Sequence, residues 1–335
     1  MTWSDIDWPA LERLRAAFLA GKGNYWRTES DLASYDLTFA ARIGWKWDHV
    51  LRELRQLGWS PPPGPVLDYG CGTGIAARKM VEHFGVTQVA LWDESPLALR
   101  FAEEQLRCSG AFAADDSGVS QARLVTRRSF SPHDEQPAAH RAAATPMTLL
   151  LSHVVTELDD RELDDLGTLA GNATTVIAVE PGTNAASRRL IEVRERLRGQ
   201  FRVVAPCTHQ EACGILTTRH WCHHFATPPR EVFRDGNWAR FAKVAGVDLR
   251  SLPLSYLVLD RRPLPATTAN VRLIGAPRLH KGYALLLGCE EGGVQDRRVT
   301  QRKLPAVYRQ ARKGELATRQ QWRCDGTEVV EMKTP

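Results

Sequence analysis

The sequence predicts a doubly wound α/β sheet, Rossmann-like and seven-stranded, with three additions: a helical N-terminal region, a cysteine-rich insertion and a small basic C-terminal module. Short apolar runs alternate with helical stretches from residue 66 onward, which is the pattern of a mostly parallel sheet covered by helices. A glycine-rich turn follows the first of those runs, where such folds carry their ligand loop. The alternation closes with a late extra strand after a Cys/His-rich interruption.

The elements follow in order. In residues 1–60, Leu11, Leu14, Phe18 and Leu19 fall on one helical stripe, and Val50, Leu51, Leu54 and Leu57 on a second. Trp45 and Trp47 read as packing residues between them. The run Pro61-Pro62-Pro63-Gly64-Pro65 breaks the chain and marks a boundary. Strands are predicted at Val66–Asp68, Gln88–Trp92, Ala122–Thr126, Met147–Ser152, Thr175–Val179, Phe201–Ala205 and Leu254–Leu259. Helices are predicted at Ile75–Phe84, Pro96–Arg107, near Asp160–Leu169 and at Ala185–Arg198. Residues 109–120 and 131–145, rich in Ala, Ser, Asp and Gly, read as loops. From 270 onward the pattern changes to short β runs, Val271–Ile274 and Tyr283–Leu287, and then to basic helix-like sequence. The expected organisation is a helical region 1–60, a core domain 61–262 with an insertion at 206–250, and a C-terminal module 263–335.

The glycine loop is Val66-Leu67-Asp68-Tyr69-Gly70-Cys71-Gly72-Thr73-Gly74. Glycines let the backbone turn sharply after a strand and approach a ligand with no Cβ in the way. The helix N-terminus that follows offers free N–H groups. Asp93, closing the second strand, is placed to accept hydrogen bonds from ribose hydroxyls. Gly72-Thr73-Gly74-Ile75-Ala76-Ala77 also fits the dinucleotide pattern G-x-G-x-x-A. The spelling D-x-G-x-G-x-G, with Asp68 two residues before the first glycine, resembles motif I of class I methyltransferases and favours S-adenosyl-L-methionine (SAM). The candidate cofactor-binding residues are Asp68, Gly70, Cys71, Gly72, Gly74, Asp93 and Ser152.

Composition is that of an ordinary globular protein, 43% hydrophobic and 25% charged. No run of about 18 apolar residues is present, so no transmembrane helix is expected. The N-terminus carries acids and lacks a secretory pattern, which points to the cytoplasm. Net charge is +5, but residues 261–323 hold 14 Lys or Arg against 4 Asp or Glu. A basic segment on a mildly acidic body suits a polyanionic partner, RNA first, or else is a basic solvated surface.

Seven cysteines in a chain read as cytosolic argue for metal or thiol chemistry over a disulfide framework. Cys207, Cys213 and Cys222 fall within sixteen positions, in Pro206-Cys207-Thr208-His209-Gln210-Glu211-Ala212-Cys213 and His220-Trp221-Cys222-His223-His224-Phe225. Thiolates suit zinc or iron–sulfur clusters, and the adjacent histidines are alternative ligands. Neither cysteine gap matches the C-x₂₋₄-C knuckle usual for zinc, which favours a cluster. Cys108 and Cys324 lack a partner motif and read as inert.

Taken together, the segments VLDYGCGTG at 66, LSHVVTEL at 151, VIAVEPGT at 176, APCTHQEAC at 205, HWCHHF at 220, LSYLVLDRR at 254 and RLIGAPRLHKGYALLLGC at 272 resemble one family. It is the mitochondrial small-ribosomal-subunit assembly family known in animals as methyltransferase-like protein seventeen, with yeast and bacterial relatives, in the class I SAM-dependent methyltransferase superfamily. The resemblance implies a [4Fe–4S] cluster on Cys207, Cys213, Cys222 and Cys289, and binding to small-subunit ribosomal RNA during assembly. Spacing alone does not select Cys289, which lies 66 residues beyond Cys222. The chain departs from the family pattern at Thr208, Gly214 and His220, where relatives often carry Pro, Pro and Asp.

Methyl transfer from a sulfonium needs alignment and desolvation more than a strong acid or base. The fourth strand ends in Leu151-Ser152-His153-Val154, unlike the N/D-P-P-Y/F of amino-methylating nucleic-acid enzymes. His153, Glu157 and Glu180 are the candidates near the strand ends for a catalytic part, with backbone satisfaction or helix-start roles as the alternative for the first two. Three functions fit: a methyltransferase of small-subunit rRNA, a non-catalytic assembly factor, and a small-molecule or peptide methyltransferase with a structural zinc site.

Overall fold

In the computed structural model, which describes residues 2–20, 26–110, 112, 123–127 (backbone), 147–263 and 267–333, the strands and helices expected between residues 66 and 260 are present. The chain divides into two compact units, residues 1–180 with 226–252, and residues 181–225 with 253–335. The predicted loops lie outside the described residues, apart from 109, 110 and 112. No helix among the described residues is long and apolar enough to cross a membrane.

The first unit is built on five parallel strands: β1 (Val66–Tyr69), β2 (Gln88–Trp92), β3 (Arg123–Arg127), β4 (Thr148–Ser152) and β5 (Thr175–Pro181). They lie in the order β3-β2-β1-β4-β5, with Leu67 in register with Ala90 on one side and Leu149 on the other. Leu149, Leu150 and Leu151 of β4 are all buried, as are Val176 to Val179 of β5. Parallel strands covered on both faces read as continuous apolar runs for this reason. Each such side chain contributes about 1.5–3 kcal/mol on burial.

The intervening helices are α4 (Ile75–Phe84), α5 (Pro96–Cys108) and α6 (Asp160–Gly171), counted after three N-terminal helices described below. Ser95 caps α5 by accepting from Ala98 N–H, and Pro96 sits in its first turn, where a missing N–H costs nothing. Asp159 and Glu162 form a capping box at the start of α6.

The N-terminal region supplies α1 (Trp8–Leu19), α2 (Glu29–Tyr35), a π-helical turn (Asp36–Ala40) and α3 (Ala41–Gln56). Trp47, Val50, Leu51 and Leu54 are fully buried along α3, and Leu11 and Leu14 along α1. Leu19 departs from its predicted stripe and is 72% exposed, because α1 ends there. The second half of the predicted insertion does not stay with the cysteines. It forms α8 (Gly236–Ala245), whose Trp238 and Phe241 pack with Ile6 and Leu11 and stack edge-on against Trp3 and Phe39.

The second unit holds α7 (Asn184–Leu197), β6 (Arg202–Ala205), β7 (His224–Phe225) and β8 (Pro253–Asp260), with β6 and β7 both antiparallel to β8. All seven strands expected of the core are therefore present. The unit ends in a closed five-stranded barrel: β9 (Val271–His280), β10 (Tyr283–Glu290), β11 (Gly293–Thr300), β12 (Arg319–Asp325) and β13 (Glu328–Lys333), in the order β10-β11-β13-β12-β9. Helix α9 (Pro305–Lys313) lies between β11 and β12 and packs Tyr308 and Ala311 against the barrel core of Val271, Leu273, Ala284, Leu286, Val299, Trp322 and Val329.

Gly288 of β10 sits against the ring of Trp322, and a Cβ there would lie 2.5 Å from it. Gly288→Ala is expected to destabilise the protein by about 1–3 kcal/mol through overpacking. Gly292→Ala, with nothing within 4 Å, is expected to change stability by less than about 0.5 kcal/mol. Urea unfolding of the two variants checks this, and equal midpoints would contradict the packing account.

Candidate functional site

The chain leaves β1 through Gly70, Gly72 and Gly74, all in the left-handed region at φ 68°, 52° and 74°. Glycine is required twice over at Gly70 and Gly74. A Cβ at Gly70 would lie 2.6 Å from Val154 Cγ2, and one at Gly74 would lie 3.0 Å from Ala102 Cβ. At Gly72 a Cβ would meet nothing within 4 Å. The bare backbone there faces an open cleft.

Two carboxylates fix this loop. Asp68 is fully buried, and its Oδ2 accepts from Ala77 N–H at 3.0 Å in the first turn of α4. Burial pushes its carboxyl up to about 7. Asp93 Oδ2 accepts from Gly72 N–H at 2.8 Å, and its Oδ1 from Ser95 N–H at 2.9 Å. Asp93 thus holds the loop from the end of β2 and also lines the cleft.

Of the predicted cofactor residues, Gly70, Cys71, Gly72, Asp93 and Ser152 line the cleft. Asp68 and Gly74 do not line it; they shape the loop from behind. Burial pushes the Cys71 thiol well up, so it is a neutral packing group and no nucleophile. Several other lining residues carry no signal in the sequence. Tyr69 and Trp92 stack at 4.2 Å between ring centroids and form one wall. Phe18, Tyr35 and Ile43 from the N-terminal helices, and Trp26 from the segment before α2, also line the cleft. The buried Thr73 Oγ1 and Trp92 Nε1 have no hydrogen-bond partner.

The turn after β4 is organised by Glu180. This carboxyl is fully buried at the end of β5 and accepts from Val154 N–H at 3.0 Å and Val155 N–H at 2.9 Å. His153, at φ 59°, is the one non-glycine residue with positive φ among the described residues. It lines the cleft, as does Glu157, and Lys46 Nζ of α3 lies 3.3 Å from His153 Nε2. Trp47 Nε1 donates to Ser152 Oγ at 2.9 Å. Glu180 is thus a positioning residue behind the cleft. The strained His153 backbone marks a place where structure has been held against preference.

Burial pushes Glu180 up to about 8 and Lys46 down to about 7, and holds His153 well below its ordinary range.

The four predicted metal ligands are in the second unit. Cys207 follows β6, Cys213 precedes a 3₁₀ turn (Gly214–Thr217), Cys222 precedes β7 and Cys289 lies on β10. Cys213, Cys222 and Cys289 pack in one cluster with Ile191, Ile215 and Ile274, and Cys207, Cys213 and Cys222 line one cavity. His209 Nε2 lies 3.3 Å from Cys289 Sγ, and His224 Nε2 lies 3.6 Å from Cys222 Sγ. The segment is tied down by Cys222 N–H donating to Ser187 Oγ, by Cys213 N–H donating to Glu195, and by Arg188 donating to the carbonyls of Thr218 and His220. Burial pushes the thiols of Cys213, Cys222 and Cys289 up.

Two buried guanidiniums stand beside these thiols. Arg194 faces Cys207 and Cys213, and its Nε is buried without a partner. Arg272 acts on Cys222 and Cys289 and donates to Tyr256 Oη at 2.7 Å. Of the two unassigned cysteines, Cys108 is exposed and Cys324 half-buried. The three-residue grouping Asp48, Glu82 and His83 is bridged by Lys79, which is 3.1 Å from Asp48.

A glycine loop between the first strand and its helix, an acid at the end of the second strand, and a cleft beyond the ends of parallel strands wound 3-2-1-4-5 define a Rossmann-like protein of the class I methyltransferase type. The chain belongs to the family described as mitochondrial small ribosomal subunit Rsm22, whose model matches residues 38–320. No curated protein matches it closely. Among solved structures it is similar to a SAM-dependent methyltransferase from Aquifex aeolicus (16% identity, 54% of this chain and 92% of that one, TM-score 0.37). It is also similar to the plantazolicin methyltransferase BamL, solved with a desmethyl substrate analogue and SAH (13%, 77% and 100%, TM-score 0.39). A third is the methyltransferase domain of a bacterial Hen1 (13%, 65% and 99%, TM-score 0.39).

The buried pair at the cleft floor makes a pH prediction. Unfolded, Glu180 loses its proton near 4.5, whereas folded it keeps it to about 8. Between these values the folded state binds more protons, so this group makes stability fall as pH rises from about 5 to 8. Lys46 acts oppositely. Unfolded it keeps its proton to 10.5 and folded it releases it at about 7, so stability rises over that interval. Glu180→Gln retains an oxygen for Val154 and Val155 but cannot titrate. Urea unfolding from pH 5 to 7 should show less loss of stability in the variant than in the wild type; identical slopes would contradict the assignment.

Proposed function

We propose that this chain binds SAM in the cleft and associates with small-subunit ribosomal RNA, methylating it or assisting small-subunit assembly, and that Cys207, Cys213, Cys222 and Cys289 hold a [4Fe–4S] cluster. The family match over residues 38–320 supports the ribosomal association, and the 14 Lys or Arg against 4 acids in residues 261–323 support a polyanionic partner. The expected setting is an aqueous, reducing compartment, the cytoplasm, although the family's description refers to mitochondria.

The observation that carries the cluster is the convergence of cysteines from separate segments beside two buried arginines. Arg194 is ion-paired with Glu195, and Arg194 and Arg272 both stand beside the thiols, where positive charge favours the thiolate form that a metal group binds. Neither cysteine gap in the sequence is a C-x₂₋₄-C knuckle, which favours a cluster, in which each thiolate binds a different iron, over zinc.

In the cleft, SAM would supply an already activated methyl group. Gly72 leaves its backbone open to the ligand, Asp93 offers acceptors for hydroxyl groups, and the Tyr69–Trp92 stack offers an apolar wall. Phe18, Tyr35 and Ile43 of the N-terminal helices add apolar surface to the cleft, where His153 Nε2 lies 3.3 Å from Lys46 Nζ. An acceptor proton would have Glu157 within the lined space to receive it, whereas burial and Lys46 make His153 a poor base.

Anaerobic purification should give protein with broad absorption near 400 nm and about four irons and four sulfides per chain. Cys213→Ser should lose both. Colourless protein with one zinc, or with no metal, would contradict the cluster.

A further inference from the structure

The barrel's strands pair in the order first, second, third, fifth, fourth and back to first. β11 and β13 are parallel, every other pair is antiparallel, and a helix is inserted between the third and fourth strands. That is the topology of the OB-fold, whose second and third strands and first hairpin loop form a common oligonucleotide-binding surface. Here those elements are β10, β11 and the Lys281-Gly282 turn.

The outer face of the two strands carries an aromatic and basic ladder. Ala284, Leu286 and Val299 point into the core, so alternation puts Tyr283, Leu285 and Arg298 outside. Tyr283 stacks on its cross-strand partner His280 at 4.6 Å between centroids and 10° between planes. Arg298 lies over the Tyr283 ring at 4.5 Å. The exposed Lys281 and Arg302 stand at this same end, since Gln301 N–H donates to Gly282 carbonyl, and neither makes an ion pair among the described residues. The one acid on this face, Asp296, is paired with Arg278. The opposite end of the face is covered, because Gly214 packs on the backbone of Gly293 and Val294.

We infer that this open half of the barrel is a binding surface for single-stranded RNA, with an unpaired base adding to the outer end of the His280–Tyr283–Arg298 stack and phosphates passing Lys281 and Arg302. Flat aromatic and guanidinium surfaces reward bases with free faces, which a duplex does not offer. The choice of RNA rests on the ribosomal reading above; the location of the contact does not. The surface is sequence-tolerant, because stacking and phosphate contacts carry no base-edge code.

Fluorescence anisotropy with the full chain tests this, using a fluorescein-labelled mixed-sequence 12-nucleotide RNA, alone and annealed to its complement. The single strand should bind more tightly than the duplex. Tyr283→Leu should weaken single-strand binding about 5- to 100-fold, whereas Tyr283→Phe retains it. Arg298→Gln, at an exposed position, should weaken binding severalfold, and Lys281→Gln with Arg302→Gln should lower the salt dependence. Circular dichroism verifies that each variant is folded. Equal affinity for single strand and duplex, or wild-type affinity in Tyr283→Leu and Arg298→Gln, would overturn the assignment. If those variants bind the 12-mer normally while small-subunit RNA is still bound, the ribosomal reading stands and the barrel surface fails. If the wild-type chain binds neither RNA, both fail.

Discussion

The turn between β1 and α4 is the constraint on which the first unit depends. Three residues with positive φ carry the chain out of the sheet and into a helix, and two of them have no room for a Cβ. The buried Asp68 holds the helix end of that turn, and Asp93 holds its exposed edge from the neighbouring strand. The cost of burying these acids is offset by backbone N–H groups that would otherwise be orphaned at the helix start. Once the loop is set, the cleft must lie beyond the ends of β1, β2 and β4. The N-terminal helices then serve a second purpose: Lys46 and Trp47 reach the β4 turn from α3, and Phe18 and Tyr35 wall the opening.

The second unit follows a different logic. Its cysteine segment has little regular structure, and is fixed by arginine-to-carbonyl bonds, a few side-chain anchors and contact with the barrel. Cys289 on β10 brings the barrel to the cysteine segment, so a metal group on all four thiols would convert binding energy into folding energy for both parts. The same strand presents Tyr283 near its other end, outside the covered region. A single strand of the barrel thus links the thiol site to the basic face.

The core was legible in the sequence because each of its signals is local. Apolar runs of strand length, Pro96 after Ser95, and the glycine triplet each have one good structural solution. Three things were not legible. The barrel showed only two β runs, because β11, β12 and β13 are rich in charged and polar residues that face outward, leaving few apolar positions such as Val299, Trp322 and Val329 to mark the alternation. The split of the insertion depended on Trp238 and Phe241 finding aromatic partners more than 190 residues earlier in the chain, and no local pattern encodes that. The roles of Glu180 and Lys46 are likewise set by tertiary burial, so sequence alone placed Glu180 among catalytic candidates and left Lys46 unnoticed. The likeness between the cysteine motifs and a known family supplied Cys289, which spacing could not.

The central claim is that the glycine-loop cleft is a ligand site for SAM, held by Asp93. Isothermal titration of the purified chain with SAH tests it most directly, since a product-like ligand needs no acceptor. The account predicts one site per chain and at least about tenfold weaker binding in Asp93→Asn, in keeping with the 1.5–3 kcal/mol of a charge-assisted hydrogen bond. The absence of binding heat, together with no rise in melting temperature at millimolar SAH, would contradict it.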